Sequence, residues 1–421
     1  MTHLLQPFSA EFQADPYPTY HRLRTQAPVY CARLFGVRFW VLTRYRDVAA
    51  ALRDPRLSAQ AAASSLMPPV LCDGNLFFKD PPEHTRLRSL INKAFLPQTV
   101  EAMRPWLSAL IEEVIDAALA IERERGHFDV VHDLGMAVSL GAMSGIMGLP
   151  RADREQLKQW TDAMSVLLDG TQILPGLKGA HQAAAKMVAY FQDAIALRRH
   201  SARGASGDFL SALIAARDEE DRLSDEELLA TAIFTLMAGH ETVTAAVSSG
   251  LLALCKNAGE LERLRADPTL AASAFDEMLR YDPPGQLTTK TATEAMEIGG
   301  QRIEKGQAVV AVIAAANRDP EIFPEPDRFD IGRRENRHLS FSLGPHYCVG
   351  AALARMQGQL LLSALVRRMP ELHIDPAAAV RKPGIVLRGL HALPARSALR
   401  PATSVPICSA LPPRYAGGVA G

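Results

Sequence analysis

The stretch SDEELLATAIFTLMAGHETVTAAVSSGLLALC, residues 224–255, constrains this chain more than any other. Ser224 and Glu227 stand at the spacing of a capping box, in which each side chain satisfies the other's backbone N–H at a helix start. Apolar residues then continue for some 30 positions, and at about 1.5 Å per residue such a helix crosses a whole domain. Its middle, AGHET, breaks the pattern: Gly239 weakens a helix, and Glu241 puts a charge into a segment that reads as buried. Thr242 stands four residues after Ala238 and can take its carbonyl, opening the helix ladder, while Gly239 leaves room for a small ligand or water. The residues alone allow two readings, a kinked core helix with Glu241 held in a salt bridge or a functional groove.

The rest of the chain supplies a scaffold for that helix. Residues 16–54 alternate a helix (PYPTYHRLRTQ), a strand pair within PVYCARLFGVRFWVLT, and a second helix from Tyr45. From Pro81 to about Leu279 the periodicity is helical, with breaks at RRHSARGASGD and DGTQILPGLKG. After Asp282-Pro283-Pro284 come short strands (LTTKTAT, MEIGGQRI, AVVAVIAAA), a Pro-rich loop, a helix from about Val349 to Arg368, and a last strand pair bracketing GIVLRGLHALP. The pattern predicts a mainly α protein with small β-sheets. It forms a single large domain over 1–398, with a β-rich minor part mainly in 16–60 and 285–330 and a disordered tail over 399–421.

Charge and cysteine usage narrow the function classes. Basic and acidic residues both number 46 among 421, so no global field gathers nucleic acid or an anionic membrane. The N-terminus has no basic stretch followed by an apolar run, so neither a targeting segment nor a membrane anchor is expected. Cys31, Cys72, Cys255, Cys348 and Cys408 are odd in number and scattered, without CxxC pairing. They fit neither a disulfide framework nor a four-ligand zinc site, and point to a reducing cytoplasm.

One of these cysteines stands in FSLGPHYCVGAALAR, residues 341–355. Just before a helix, Cys348 feels the positive end of the helix dipole and its free N–H groups, which predicts a lowered pKa and a thiolate. Gly344 and Gly350 would let backbone approach something flat, and Phe341 would screen the sulfur from water. A zinc site with His346 lacks two further ligands, while a buried structural cysteine stays open as a reading. At every fixed position the stretch resembles the F-x-x-G-x-H-x-C-x-G-x-x-L-A-R haem-binding signature of the cytochrome P450 superfamily. AGHET likewise resembles that family's A/G-G-x-D/E-T oxygen-activation motif.

The resemblance implies the cytochrome P450 fold, with Cys348 as the axial thiolate of the iron of haem b. It implies a distal groove at Ala238 and Gly239, and an acid–alcohol pair, Glu241 and Thr242, that brings protons to dioxygen. His240, at the motif's variable position, reads as a helix residue that tunes water or substrate contacts. In DPPEHTRLRSL, His84 and Arg88 fall four apart on one helix face, which suits a carboxylate or a solvated basic surface. The segment resembles the family's H-x-x-x-R element, implying contacts to the haem propionates, as for His346. Lys290 stands where the family usually has arginine, so its contact would lack the planar fork. Glu277 and Arg280 in FDEMLRYDPP, with Arg328 in FPEPDRFD, resemble the E-x-x-R and P-x-R-F elements, implying a buried network that fixes the loop before Cys348.

The implied reaction is reductive activation of dioxygen, with hydroxylation or epoxidation of a lipophilic small molecule such as a polyketide, terpenoid or fatty-acid derivative. The chain carries no GxGxxG fingerprint, so electrons from NAD(P)H would arrive through a ferredoxin and its reductase, docking beside Lys93, Arg104 and Arg337. A peroxide-driven peroxygenase and a noncatalytic haem-binding or recruiting protein are the competing readings, and a monomer is expected. Substrate contacts fall to Phe77, Ala238, Leu287 and Val386, in the loops SSLMPPVLCDGNLFFKD, MSVLLDGTQILPGLKG, GQLTT and IVL and on the long helix.

Overall fold

In the computed structural model the capping box forms: Glu227 N donates to Ser224 Oγ at 3.1 Å and Ser224 N to Glu227 Oε2 at 2.8 Å. The helix it starts, Asp225–Lys256, runs 32 residues. The structure describes residues 4–34, 36–62, 72–169, 173–200, 208–215, 217–218 and 221–398. The tail from 399, with Cys408, and most of the apolar stretch before Asp73 lie outside these residues. Among the described residues the central helix alone is long and apolar enough to cross a membrane, and most of it is buried within the protein.

Helices wrap this axis. Ala137–Ile146, Ile173–His200, Ala271–Tyr281 and Ala351–Arg368 all contact it, and Arg104–Arg125 packs on Ala351–Arg368. One main core runs through them, from Leu87 to Ala395, filled by Leu, Ile, Met and Phe. Burial of such side chains, each worth roughly 1.5–3 kcal/mol, holds the helices on the axis far more firmly than helix propensity does. The reading of DGTQILPGLKG as a break is corrected in part: Ile173–His200 already contains Pro175 as its third residue. Proline is tolerated there because first-turn N–H groups have no intrahelical acceptor.

The minor part is a five-stranded sheet in the spatial order Val29–Leu34, Val37–Leu42, Ala308–Ala311, Thr288–Ala292, Leu57–Ser58. Ala308–Ala311 runs parallel to Val37–Leu42 and antiparallel to Thr288–Ala292, where Val309 stands opposite Lys290. Two smaller apolar clusters line this sheet, one of them with Trp40, Val48, Leu52 and Val309 at its centre. The alternation of Thr288–Ala292 turns Lys290 and Ala292 inward while Thr289 stays exposed. The apolar run AVVAVIAAA does not stay extended: its second half is a short helix, Ile313–Ala316, buried throughout. Alanines fill it, and alanine favours helix over strand.

Candidate active site

The central helix leaves one face open. Between Leu228 and Leu254 every residue is buried except Phe234, Thr235, Ala238, Gly239, Glu241, Thr242 and Ala245. Phe234, Ala238, Thr242 and Ala245 follow helical spacing, so they form one stripe, and Thr242 and Ala245 line a cavity. Thr242 Oγ1 donates to the Ala238 carbonyl at 2.6 Å, the back-bond its spacing suggested.

Gly239 serves a different purpose from the one expected. A Cβ at this position would stand 2.5 Å from Met143 Sδ, so the glycine admits the helix Ala137–Ile146 rather than clearing space over the cleft. His240 is fully buried and turned away from the stripe, its Nδ1 3.0 Å from Ser139 Oγ. Burial pushes its pKa down to about 4. Glu241 does not bond Thr242 either. Its Oε2 lies 3.4 Å from Lys382 Nζ, and burial, opposed by Lys382, raises its pKa.

Cys348 is accessible and yet set deep in the protein, as a group facing an internal cleft would be. Its backbone N–H donates to the Phe341 carbonyl at 2.8 Å, which closes the loop over the Phe341 ring. Arg355 lies 4.5 Å above that ring and donates to Asp276 at 2.8 Å. The expected lowering of the thiol pKa is corrected: burial raises it, against the pull of the Gly350 N–H, Arg88 and Arg355. Desolvation here outweighs the donors around the sulfur. The two glycines differ from each other. Gly344 is required by its own backbone, at φ +69 and against Leu52 and Arg53, whereas the Cβ position of Gly350 meets only open space.

Four donors converge near the Cys348 loop. His84 and His346 stack with centroids 4.4 Å apart, and Arg88 and Lys290 are close enough to shift their titration. His84 is buried, and its Nε2 has no partner. Burial lowers His84 and brings His346 down to about 4, with His84 and Lys290 adding to the second shift. Lys290 is buried with Nζ on the Leu52 carbonyl at 3.2 Å, and burial lowers its pKa too. Arg88 spends one N–H on the Tyr347 carbonyl at 2.6 Å. The nearest carboxylate, Asp80, already accepts from Ala59 N and Ser58 Oγ. Two cations, Arg88 and Lys290, desolvated beside two imidazoles that can donate, suit an anionic occupant, so the residues fit a thiolate-ligated group carrying two carboxylates.

The loop before Cys348 hangs on a buried carboxylate, but the predicted triad is corrected. Glu277 and Arg280, both fully buried, pair at 2.7 and 2.8 Å. Arg328 points outward to Glu325 and is largely exposed. The third member is Arg333, 3.3 Å from Glu277 Oε2, joined by Asp330 N at 2.9 Å and Asn336 Nδ2 at 3.1 Å. Arg328 contributes its carbonyl instead, which accepts from Arg280 and Arg333. A second network went unpredicted: buried Asp282 accepts from Tyr17 Oη at 2.8 Å and from Arg388 at 3.0 Å, tying the start of the helix Tyr17–Gln26 to the segment before the strand Leu390–Ala392. Its signal, an aspartate before Pro-Pro, reads in sequence only as a helix stop.

Of the predicted substrate contacts, Phe77 stacks on Phe234 of the open stripe at 5.4 Å. Leu287 and Val386 lie in adjoining segments, since Gln286 N donates to the Val386 carbonyl at 2.8 Å. Among the basic residues assigned to docking, Arg104 is paired with Glu101 and Arg337 lies 3.5 Å from Glu335.

Comparison with known proteins meets this geometry. A sequence model of the cytochrome P450 family matches residues 4–383. The chain is 38% identical over 395 residues to the cytochrome P450 monooxygenase PikC of Streptomyces venezuelae, covering 92% of both proteins. Among solved structures it resembles the Bacillus subtilis bacillaene polyketide synthase cytochrome P450 PksS, with TM-score 0.86, 31% identity and coverage of 94% and 100%. It also resembles P450BioI, solved with a hexadec-9Z-enoic acid ligated acyl carrier protein, with TM-score 0.84, 33% identity and coverage of 92% and 98%.

Proposed function

The chain belongs to the cytochrome P450 family of monooxygenases, and from that premise we propose that it oxygenates a lipophilic small molecule of polyketide or fatty-acid type. Electrons come from NAD(P)H through a ferredoxin and its reductase. Three observations support this reading: an accessible Cys348 with Arg88 near enough to act on it, an open stripe on the central helix, and the grouping of His84, Arg88, Lys290 and His346. The substrate class rests on the printed names of the relatives and on the apolar character of Phe77, Phe234, Leu287 and Val386. Unpaired thiols at the four described cysteines suit a reducing cytoplasm.

Haem b, when bound, supplies the iron at which dioxygen is reduced and split. The chain's own residues do the rest. Cys348 would hold the iron as a thiolate, and the Gly350 N–H, Arg88 and Arg355 would lower the cost of its charge. His84, Arg88, Lys290 and His346 would bind the two carboxylates, with the ammonium of Lys290 acting as a point charge. Thr242, back-bonded to Ala238, offers its hydroxyl oxygen as an acceptor inside the cleft. Burial raises the Glu241 pKa against the pull of Lys382, which favours its protonated form, and Glu241 shares a cavity with Thr242.

The test is steady-state oxidation of hexadec-9Z-enoic acid and of a macrolactone by haem-loaded protein. One arm has ferredoxin, reductase and NADPH, and the other has hydrogen peroxide alone. Product in the first arm, with one atom of labelled dioxygen incorporated, is expected. Turnover with peroxide only would replace this reading with the peroxygenase one.

A further inference from the structure

Residues 384–390 form a wall between two helices. On its inner side Leu387, Gly389 and Leu390 line the cavity that also takes in Thr242 and Ala245 of the open stripe. A Cβ at Gly389 would stand 3.2 Å from that of Ala245, so the wall lies tight against the central helix. Residues 382–389 belong to no strand. They meet the neighbouring segment through Gln286 N on the Val386 carbonyl at 2.8 Å and Arg388 N on the Pro284 carbonyl at 2.7 Å. A stretch outside the sheets keeps its conformation only as far as such ties hold it.

The outer side is tied to the N-terminal helix Ala10–Ala14. Gln13 Oε1 accepts from Gly384 N at 2.8 Å, while Gln13 Nε2 donates to the Pro7 carbonyl at 2.7 Å. Arg388, oriented by its bond to Asp282, donates to the carbonyls of Gln13 at 3.1 Å and Ala14 at 2.8 Å. Carbonyls in a helix's last turn have no donor within the helix, so this guanidinium caps the C-terminus. Ser9 Oγ caps the other end, accepting from Phe12 N at 3.2 Å. Phe12 is buried in the apolar cluster against which Ile385 packs. A helix of five residues does not persist by propensity, so helix and wall hold each other. Gln13 itself is half-buried and does not line the cavity.

We propose that Gln13 is a positioning residue for substrate selection: from outside the cavity, through Gly384 and its own carbonyl on Arg388, it holds the wall in the conformation that grips a bulky molecule beside Thr242. A wall fixed in advance spares a large ligand the free energy of ordering it on binding. A ligand too small to reach the wall gains nothing from it. The N-terminal helix thereby acts on which molecules bind, although none of its residues meets them. This inference rests on the monooxygenase reading above, in which the substrate lies beside Thr242.

The experiment uses haem-loaded protein, unsubstituted and as Gln13→Ala and Gln13→Glu. Each is titrated with imidazole and with 4-phenylimidazole, which bind haem iron through nitrogen and shift its Soret band. Gln13→Ala is expected to weaken 4-phenylimidazole about fivefold, the effect of one lost hydrogen bond, and to leave imidazole unchanged. Gln13→Glu keeps the acceptor for Gly384 N and recovers most of the affinity. With hexadec-9Z-enoic acid, surrogate ferredoxin, reductase and NADPH, the same loss should appear in KM with kcat little changed. Hydrogen exchange at the Gly384 amide should quicken in Gln13→Ala, marking release of the wall. Faster exchange with both azoles unaffected, or with both weakened equally, overturns the role in selection and leaves the monooxygenase reading intact. Unchanged exchange in Gln13→Ala overturns it as well. If imidazole shifts nothing in the unsubstituted protein, the monooxygenase reading fails and this inference fails with it.

Discussion

Arg333→Met should destabilise the protein where Arg328→Met does not. Arg333 gives Glu277 a charge-assisted contact at 3.3 Å and also donates to the carbonyls of Pro324 at 2.9 Å, Arg328 at 3.2 Å and Glu325 at 3.3 Å. The contact to a fully buried carboxylate is worth ~1.5–3 kcal/mol, and the carbonyls, at an exposed loop, recover partners from water. Glu277 keeps both bonds from Arg280, so the loss stays below the ~3–5 kcal/mol of a fully broken buried pair. An expected cost of about 2–3 kcal/mol follows, some 30- to 150-fold in the folded population. Arg328 meets Glu325 in solvent, so its replacement leaves stability where it was. The assay is urea unfolding of both haem-loaded variants by circular dichroism, reading the midpoint at unchanged slope, together with haem loss by absorbance. Equal destabilisation by the two substitutions, or a midpoint for Arg333→Met matching the unsubstituted protein, would refute the assignment.

Three other perturbations follow from the same packing. Gly239→Ala gains about 1 kcal/mol of helix propensity but forces Met143 to move at a cost of roughly 1–3 kcal/mol. It should destabilise in thermal unfolding and cease to do so in a Met143→Ala background; destabilisation in both would place the clash elsewhere. Asp282→Asn should cost about 3–5 kcal/mol in urea unfolding, because buried Arg388 and its neighbour Arg381 lose their anion. Burial alone would raise the Asp282 carboxyl, but Arg388 and Arg381 hold it low, so its stabilisation is full at neutral pH and fades as pH falls through that lowered value. His240, lowered to about 4, stays neutral in the folded chain while the unfolded one takes up a proton. Stability should therefore rise with pH between about 4 and the ordinary histidine value near 6.5, and His240→Gln should flatten that slope. An unchanged slope would mean that His240 titrates alike in both states.

What the sequence made legible was local. The capping box at Ser224, the back-bond of Thr242 and the four-residue spacing of His84 and Arg88 each need only helical geometry, and each appears as read. What it concealed needed a neighbour from elsewhere in the chain. Which of two nearby arginines folds back on Glu277 depends on the path of the loop, where Glu325 takes a positive φ of 47, and no periodicity encodes it. Gly239 reads as a gap over the cleft until Met143 is seen against it. Gln13 carries no local signal connecting it to Gly384. For Cys348 the helix-dipole argument was sound but incomplete, since desolvation opposes it and is larger.

The proposed function depends on Cys348 ligating an iron through its sulfur. It is tested most directly by the absorption spectrum of the reduced, purified, haem-loaded protein under carbon monoxide, for the chain as it stands and for Cys348→Ser. A strongly red-shifted Soret band in the first, abolished in the second, is the expected result. Lack of that band in the unsubstituted protein, or its survival in Cys348→Ser, would contradict thiolate ligation by Cys348.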